Sequence, residues 1–254
     1  MHPSARTRRL AGSLLAGALL CLPGARLALA QASGPAAAAQ AAAALPARQQ
    51  AIPLIAAAMA TSNMPSLQAA LNQGLDAGLT VSEAKEILVH LYAYVGFPRS
   101  LNALNELMQV LAQRRARGIA DAPGREPSHP APTGDALLAA GAANQTRVAG
   151  APVQGPVFDF APVINQFLQA HLFGDIFERD NLSWQERELA TVAALAVTPG
   201  VEAQLRSHMR ASLNVGLTVA QLRQVIQLLR GSGEAAAAAR AQAALDEQLA
   251  QGGK

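Results

Sequence analysis

Sulfur and aromatic rings are scarce in this 254-residue sequence, which has one cysteine, one tryptophan, two tyrosines and six phenylalanines. The cysteine, Cys21, lies in a stretch that differs from the rest of the chain. Residues 1–30 hold Arg6, Arg8, Arg9 and Arg26 and no acid. The basic start Arg6-Thr7-Arg8-Arg9 precedes a 13-residue apolar run from Leu10 to Leu22, and Pro23 ends that run. Ala28-Leu29-Ala30 then offers the small residues that a signal peptidase reads. A helix needs about 20 apolar residues to cross a bilayer, so the run predicts a signal peptide and no stable membrane anchor. Leu20 before Cys21 argues against lipid attachment at that cysteine. Arg8-Arg9 after Thr7 permits a twin-arginine route, ranked below ordinary secretion. The expected location is periplasmic or secreted. Removing residues 1–30 turns the net charge from +3 to −1, with 16 basic and 17 acidic groups left on 224 residues. The basic balance thus belongs to the leader, and nucleic acid is not an expected partner. The cut also removes the only thiol. That excludes disulfides, thiolate nucleophiles, CxxC redox chemistry and cysteine-ligated zinc.

Strand signals are as sparse as sulfur: there is no Asn-Gly hairpin and no long β-branched alternation. What is present is helical. Residues 31–47 are alanine-rich and read as a flexible lead-in, with a helical pattern from about Gln49. Capping boxes stand at Thr80-Val81-Ser82-Glu83, Ser183-Trp184-Gln185-Glu186 and Thr218-Val219-Ala220-Gln221. Apolar residues at spacings of three and four follow each of them, as at Ile87, Leu88 and Leu91. Residues 114–156 are rich in Pro, Gly and Ala and read as a linker, with one short helix near residues 135–143. The arginines at 114, 115 and 117 read as a helix C-terminus complementing its dipole, since no aromatic nearby offers base stacking. On either side of the linker the sequence repeats. A shift of 138 carries Gly78-Leu79-Thr80-Val81 onto Gly216-Leu217-Thr218-Val219, Leu67 onto Leu205 and Leu75 onto Leu213. The expected fold is all-α, a tandem repeat of helical units over residues 48–113 and 157–250.

Three segments resemble one family. Leu205-Arg206-Ser207-His208-Met209-Arg210-Ala211-Ser212-Leu213-Asn214, followed by Gly216-Leu217-Thr218, looks like the core of the carboxymuconolactone decarboxylase family, which includes the alkylhydroperoxidase D-like proteins. Residues 87–104, with the bend Tyr94-Val95-Gly96-Phe97-Pro98, resemble the family's following helix. Phe173-Gly174-Asp175-Ile176-Phe177 before Leu182-Ser183 fits the segment leading into its second unit. The resemblance implies a helical bundle assembling as a homo-oligomer, a trimer or hexamer. Peroxidase members carry Cys-x-x-Cys-x-x-x-His with a glutamate one helix upstream. Here Val201 and Gln204 stand at the cysteine positions, His208 at the histidine and Glu188 close to the glutamate. A disulfide-cycling peroxidase is therefore chemically disfavoured.

The decarboxylase branch implies neither metal nor cofactor. It implies a small anionic or lactone-like substrate, an arginine for its carboxylate, a dry pocket and an acid for the carbon. His208 is the candidate acid or base, with Glu188 orienting it, and Arg206 or Arg210 the candidate anion holder. Two residues apart on a helix, His208 and Arg210 face different ways, so one arginine at most shares the pocket. His90 and Tyr94, one turn apart, are candidates for the pocket wall, or else core residues. His171 and Asp175, four apart, read as a helix-surface hydrogen bond rather than metal ligands, and His129 carries no functional signal. The first repeat has Ala70 opposite His208 and Gln50 opposite Glu188, while the second lacks the Tyr94–Pro98 bend. One composite site per chain is the resulting expectation. The alternative is a non-catalytic periplasmic binding or assembly module on the same fold.

Overall fold

The structure is a computed structural model and describes residues 44–252. The expected signal peptide, Cys21 and the alanine-rich stretch up to residue 43 lie outside the described residues. Among the described residues every regular element is a helix. The three capping boxes are all formed, with Thr80, Ser183 and Thr218 each accepting from the backbone N–H three residues on. Each box sets a helix start by satisfying amide groups that have no partner within the helix.

Two alanine-rich helices, α1 (Ala47–Ala60) and α9 (Trp184–Val197), pack against each other at the centre. Both are apolar on nearly every face, as a helix surrounded by protein must be. Arg48 at the start of α1 bridges two capping-box glutamates, Glu83 and Glu186, at 2.7 Å each. Around α1 stand α2 (Met64–Asp76), α3 (Val81–His90) and α5 (Phe97–Ala116), and the single turn α4 (Tyr92–Val95) joins α3 to α5 and packs on α9. Gly96, at φ +86°, makes the bend between α4 and α5, and Pro98 occupies the first turn of α5. Around α9 stand α10 (Glu202–Asn214), α11 (Val219–Gly231) and α12 (Ala235–Gly252).

The region between contains more than a tether. Arg114 is buried and pairs with Asp76 and Asp121, holding the end of α5 and the irregular residues after it. Helix α6 (Asp135–Ala149) then packs on a π-helical segment, Leu168–Ile176, which follows the short helices α7 (Pro156–Phe160) and α8 (Pro162–Phe167). Their contact is close: at Gly141 a Cβ would run into the carbonyl oxygen of Gln169. A second apolar cluster, with Val148, Phe173, Ile176 and Phe177, covers the bend at Tyr92–Tyr94. π-helical turns are uncommon and concentrate at functional sites. Here the π-helical segment leads to Phe177, whose ring packs edge-on to His90 at 5.7 Å.

Candidate active site

Helix α9 supplies the floor. Ser183 fixes where it begins, which sets Arg187, Glu188 and Thr191 inside a helix that has no solvated face beyond its first turn. All three are fully buried. From α10, His208 reaches Glu188, with Nδ1 2.8 Å from Oε2. The carboxylate is sealed while the imidazole keeps 17 % of its side chain exposed. The pair therefore runs from the interior to a ring that solvent can reach. Glu188 accepts the Nδ1 proton of His208, which leaves Nε2 as the nitrogen available for proton exchange.

The other wall comes from α3 and α4. Tyr94 meets the His208 ring edge-on at 5.4 Å and lies tilted against His90 at 5.3 Å. Thr191 donates its hydroxyl proton to the carbonyl of Arg187 at 2.9 Å. Its oxygen then accepts from His90 Nε2 at 2.8 Å, which fixes that tautomer and leaves His90 Nδ1 as a bare acceptor. Burial, reinforced by the charges of Arg187 and His208, holds His90 well below the usual histidine range, so it is neutral. Burial, reinforced by the charge of Glu188, pushes the Tyr94 phenol up, so it is a neutral O–H donor.

Arg187 lies on the same floor, its guanidinium 5.6 Å from the Phe177 ring centre. Nη2 donates to Glu86 at 2.9 Å and to the carbonyl of Arg179 at 2.6 Å. Glu86, also buried, takes a second cation from Arg179 at 2.9 Å. Burial works against the Glu86 carboxylate, but the two guanidiniums more than offset it and hold its pKa below the ordinary value. Six buried polar atoms on and beside this floor have no hydrogen-bond partner within the protein: His90 Nδ1, Tyr94 Oη, Asn181 Oδ1, Glu188 Oε1, Arg187 Nε and Arg187 Nη1. Buried polar atoms are paired in all but a few cases, so this concentration of donors and acceptors sets the floor apart from the apolar core around it.

The structure thus brings His208, Glu188, Tyr94 and His90 together. Arg206 and Arg210 take other directions. Arg206 pairs with Glu247 of α12 at 3.3 Å, and Arg210 is solvent-exposed. His171 bonds Asp175 at 2.6 Å on the exposed side of the π-helical segment. Among the described residues no three His, Cys, Asp or Glu side chains gather to hold a metal ion. Sequence reasoning missed Arg187 and Thr191. A signal existed for both: the capping box puts them inside a helix whose later positions are apolar all round.

The fold and the site together define an all-helical protein with a half-buried histidine–carboxylate pair at a helix–helix junction. Residues 162–247, from α8 through most of α12, match the model of the carboxymuconolactone decarboxylase family, the family whose motifs the sequence resembles. His208, Glu188 and Arg187 lie inside the match, and His90 and Tyr94 lie outside it. A comparison with curated proteins finds no match.

Proposed function

We propose that this protein is an exported, cofactor-free acid–base catalyst that decarboxylates or isomerises a small carboxylated lactone. The observation that carries the reading is the 2.8 Å pair of His208 with a fully buried Glu188, beside buried donors that lack partners. In decarboxylation the bond to the carboxylate carbon breaks and carbon dioxide leaves. The electron pair passes into the unsaturated lactone as a dienolate, and the imidazolium of His208 delivers a proton to carbon. Solvent restores that proton through the exposed edge of the ring. Glu188 orients the ring and balances its positive charge, and Tyr94 donates a hydrogen bond to the developing oxyanion. Of the arginines near α10, the free Nε and Nη1 of Arg187 suit a substrate carboxylate better than Arg206, which Glu247 already engages. The chemistry needs no sulfur, and the described residues contain none in thiol form.

The test is turnover of the mature chain on a panel of carboxylated unsaturated lactones, read as carbon dioxide release. His208→Ala and Glu188→Gln should each lose about 100-fold or more in kcat, the scale of a positioned proton donor. A folded His208→Ala protein that keeps full turnover would overturn the assignment, as would hydroperoxide reduction by the mature chain. One observation favours the second reading, a non-catalytic binding or assembly module on this fold. Arg206 and Arg210, the arginines closest in sequence to His208, are turned away from the site. Binding of a carboxylated lactone without any turnover would select the module.

A further inference from the structure

A cleft of about 520 Å³ opens between α1, α2 and the C-terminal end of α11, away from the His208–Glu188 pair. Its lining is informative when the chain is shifted by 138 residues. The shift carries Met64–Asp76 onto Glu202–Asn214 and the start of α3 at Val81 onto the start of α11 at Val219. It also carries Ala70 onto His208. Running the other way, it sets Leu228 opposite His90 and Ser232 opposite Tyr94. Ala70, Leu228 and Ser232 all line this one cleft. So do Asn63 and Ser66, the counterparts of Val201 and Gln204.

The cleft is therefore the counterpart of the candidate active site with the contributions of the two halves exchanged: Ala70 of the first half faces Leu228 and Ser232 of the second, where His208 of the second faces His90 and Tyr94 of the first. Its acid–base groups are gone: a methyl stands for one imidazole, a hydroxymethyl for the phenol and an isobutyl for the second imidazole. Gln50, opposite Glu188, donates its amide to the carbonyl of Leu45 at 2.8 Å and takes no part in proton transfer. Losing an imidazole and a phenol ring makes room. The result has the size of a small-molecule site rather than a packing defect.

The lining also specifies the guest. The floor is apolar, made by Leu54, Ala57, Ala58 and Ala70. Carboxamides of Gln73, Gln224 and Gln227 form the rim. Gln224 accepts from the Leu45 amide at 2.8 Å through Oε1, which leaves its Nε2 as a donor. Among the residues that line the cleft Glu234 alone is charged. A carboxylate with no cation beside it repels anions, whereas the candidate active site offers Arg187. We propose that this cleft is a second, non-catalytic binding site for a compact neutral ring compound bearing a hydrogen-bond acceptor. The two related places in one chain then take chemically different guests, an anion at His208 and a neutral ring here.

Coumarin, a neutral bicyclic lactone, and coumarin-3-carboxylate, its anionic relative, distinguish the two by calorimetric titration of the mature chain. Coumarin should bind, and Ala70→Phe and Leu228→Trp, which fill the floor and the rim, should each weaken it about tenfold or more. Leu228 is half-buried, so its replacement keeps the test open if the larger side chain at position 70 disturbs folding. His208→Ala should leave coumarin binding unchanged, and coumarin-3-carboxylate should bind this cleft at least about tenfold more weakly. The proposal falls if coumarin fails to bind at millimolar concentration, survives both fillers, or is lost with His208→Ala. It falls too if Ala70→Phe lowers the mass of an assembly, because a second copy would then be the occupant.

Discussion

His90 combines complete burial, one hydrogen bond and the guanidinium of Arg187 close by, and these together set how it responds to acid. The folded chain holds this imidazole neutral to well below the usual range, whereas the unfolded chain takes a proton near pH 6.5. Below that pH the unfolded state binds a proton that the folded state refuses, so stability falls as pH falls. Above it both states are neutral and His90 no longer makes stability depend on pH. The slope approaches about 1.4 kcal/mol per pH unit for one such group. Facing His90 are Arg187 and Thr191 from α9, Tyr94 from α4 and His208 from α10. Glu86 acts in a lower window. Its folded pKa lies below the usual carboxylate value, so its contribution is present above that value and is lost as pH falls through the folded one. His90→Gln, which keeps a donor for Thr191 but does not titrate, should therefore flatten the loss of Tm between pH 7 and pH 5. Melting curves at several pH values check this, and parallel profiles for the two proteins would refute it.

Helices α3 and α9 are joined by a buried ion cluster rather than by apolar packing alone. Glu86 of α3 receives Arg187 of α9, Arg179 of the loop before it, and the amide of Asn181 at 3.3 Å. Removing one partner from a buried pair leaves the other charge unbalanced, which costs more than the pair itself contributes. Glu86→Ala should lower stability by about 3–5 kcal/mol, and the double variant Glu86→Leu with Arg187→Leu should recover a large part of it. Denaturant titration of the three proteins measures the difference, and a double variant less stable than Glu86→Ala would contradict the account. This junction also shows what the sequence could tell. Helix starts were legible because a capping box is local, with Thr80–Glu83 and Ser183–Glu186 three residues apart. The apolar spacing after each box marked the helices themselves. Glu86 and Arg187 are 101 residues apart, and no spacing rule connects them. His208 and Glu188 were legible only through the family motif, whereas Arg187 was hidden among charged neighbours in Gln185–Glu188. The helix at Asp135–Ala149 extends further than its composition advertised, because its stability comes from Val148 and Gln145 packing on a segment 20 or more residues away.

At the scale of the whole molecule, most of the large apolar side chains exposed among the described residues fall in two places, with Ile119 and Leu138 standing apart. One is a stripe on α5, where Phe97, Leu101 and Met108 recur at spacings of four and seven and are each more than half exposed. The other is the pair of short helices α7 and α8, with Val157, Phe160, Val163 and Phe167 exposed, Phe160 at 90 %. Scattered apolar residues on a surface need no explanation, but contiguous patches of large side chains mark contact surfaces. Phe97 also stacks on Tyr92 at 4.3 Å, so the α5 stripe continues inward to the bend that carries Tyr94. An assembly that covers α5 would therefore press on the wall of the candidate active site, coupling association to the geometry at His208. A homo-oligomer, a trimer or hexamer of this chain, should form through one or both surfaces. Placing a charge in a covered apolar contact removes its desolvation benefit and leaves a buried ion without a partner. Leu101→Glu with Met108→Lys on α5, and separately Phe160→Ser on α7, should reduce the mass measured by sedimentation at fixed concentration, with unchanged helical circular dichroism. If only the α5 variant dissociates, lactone turnover should fall with it, because the bend loses its support. If both variants keep the mass of the unaltered chain, neither face is the contact and the coupling to His208 is excluded.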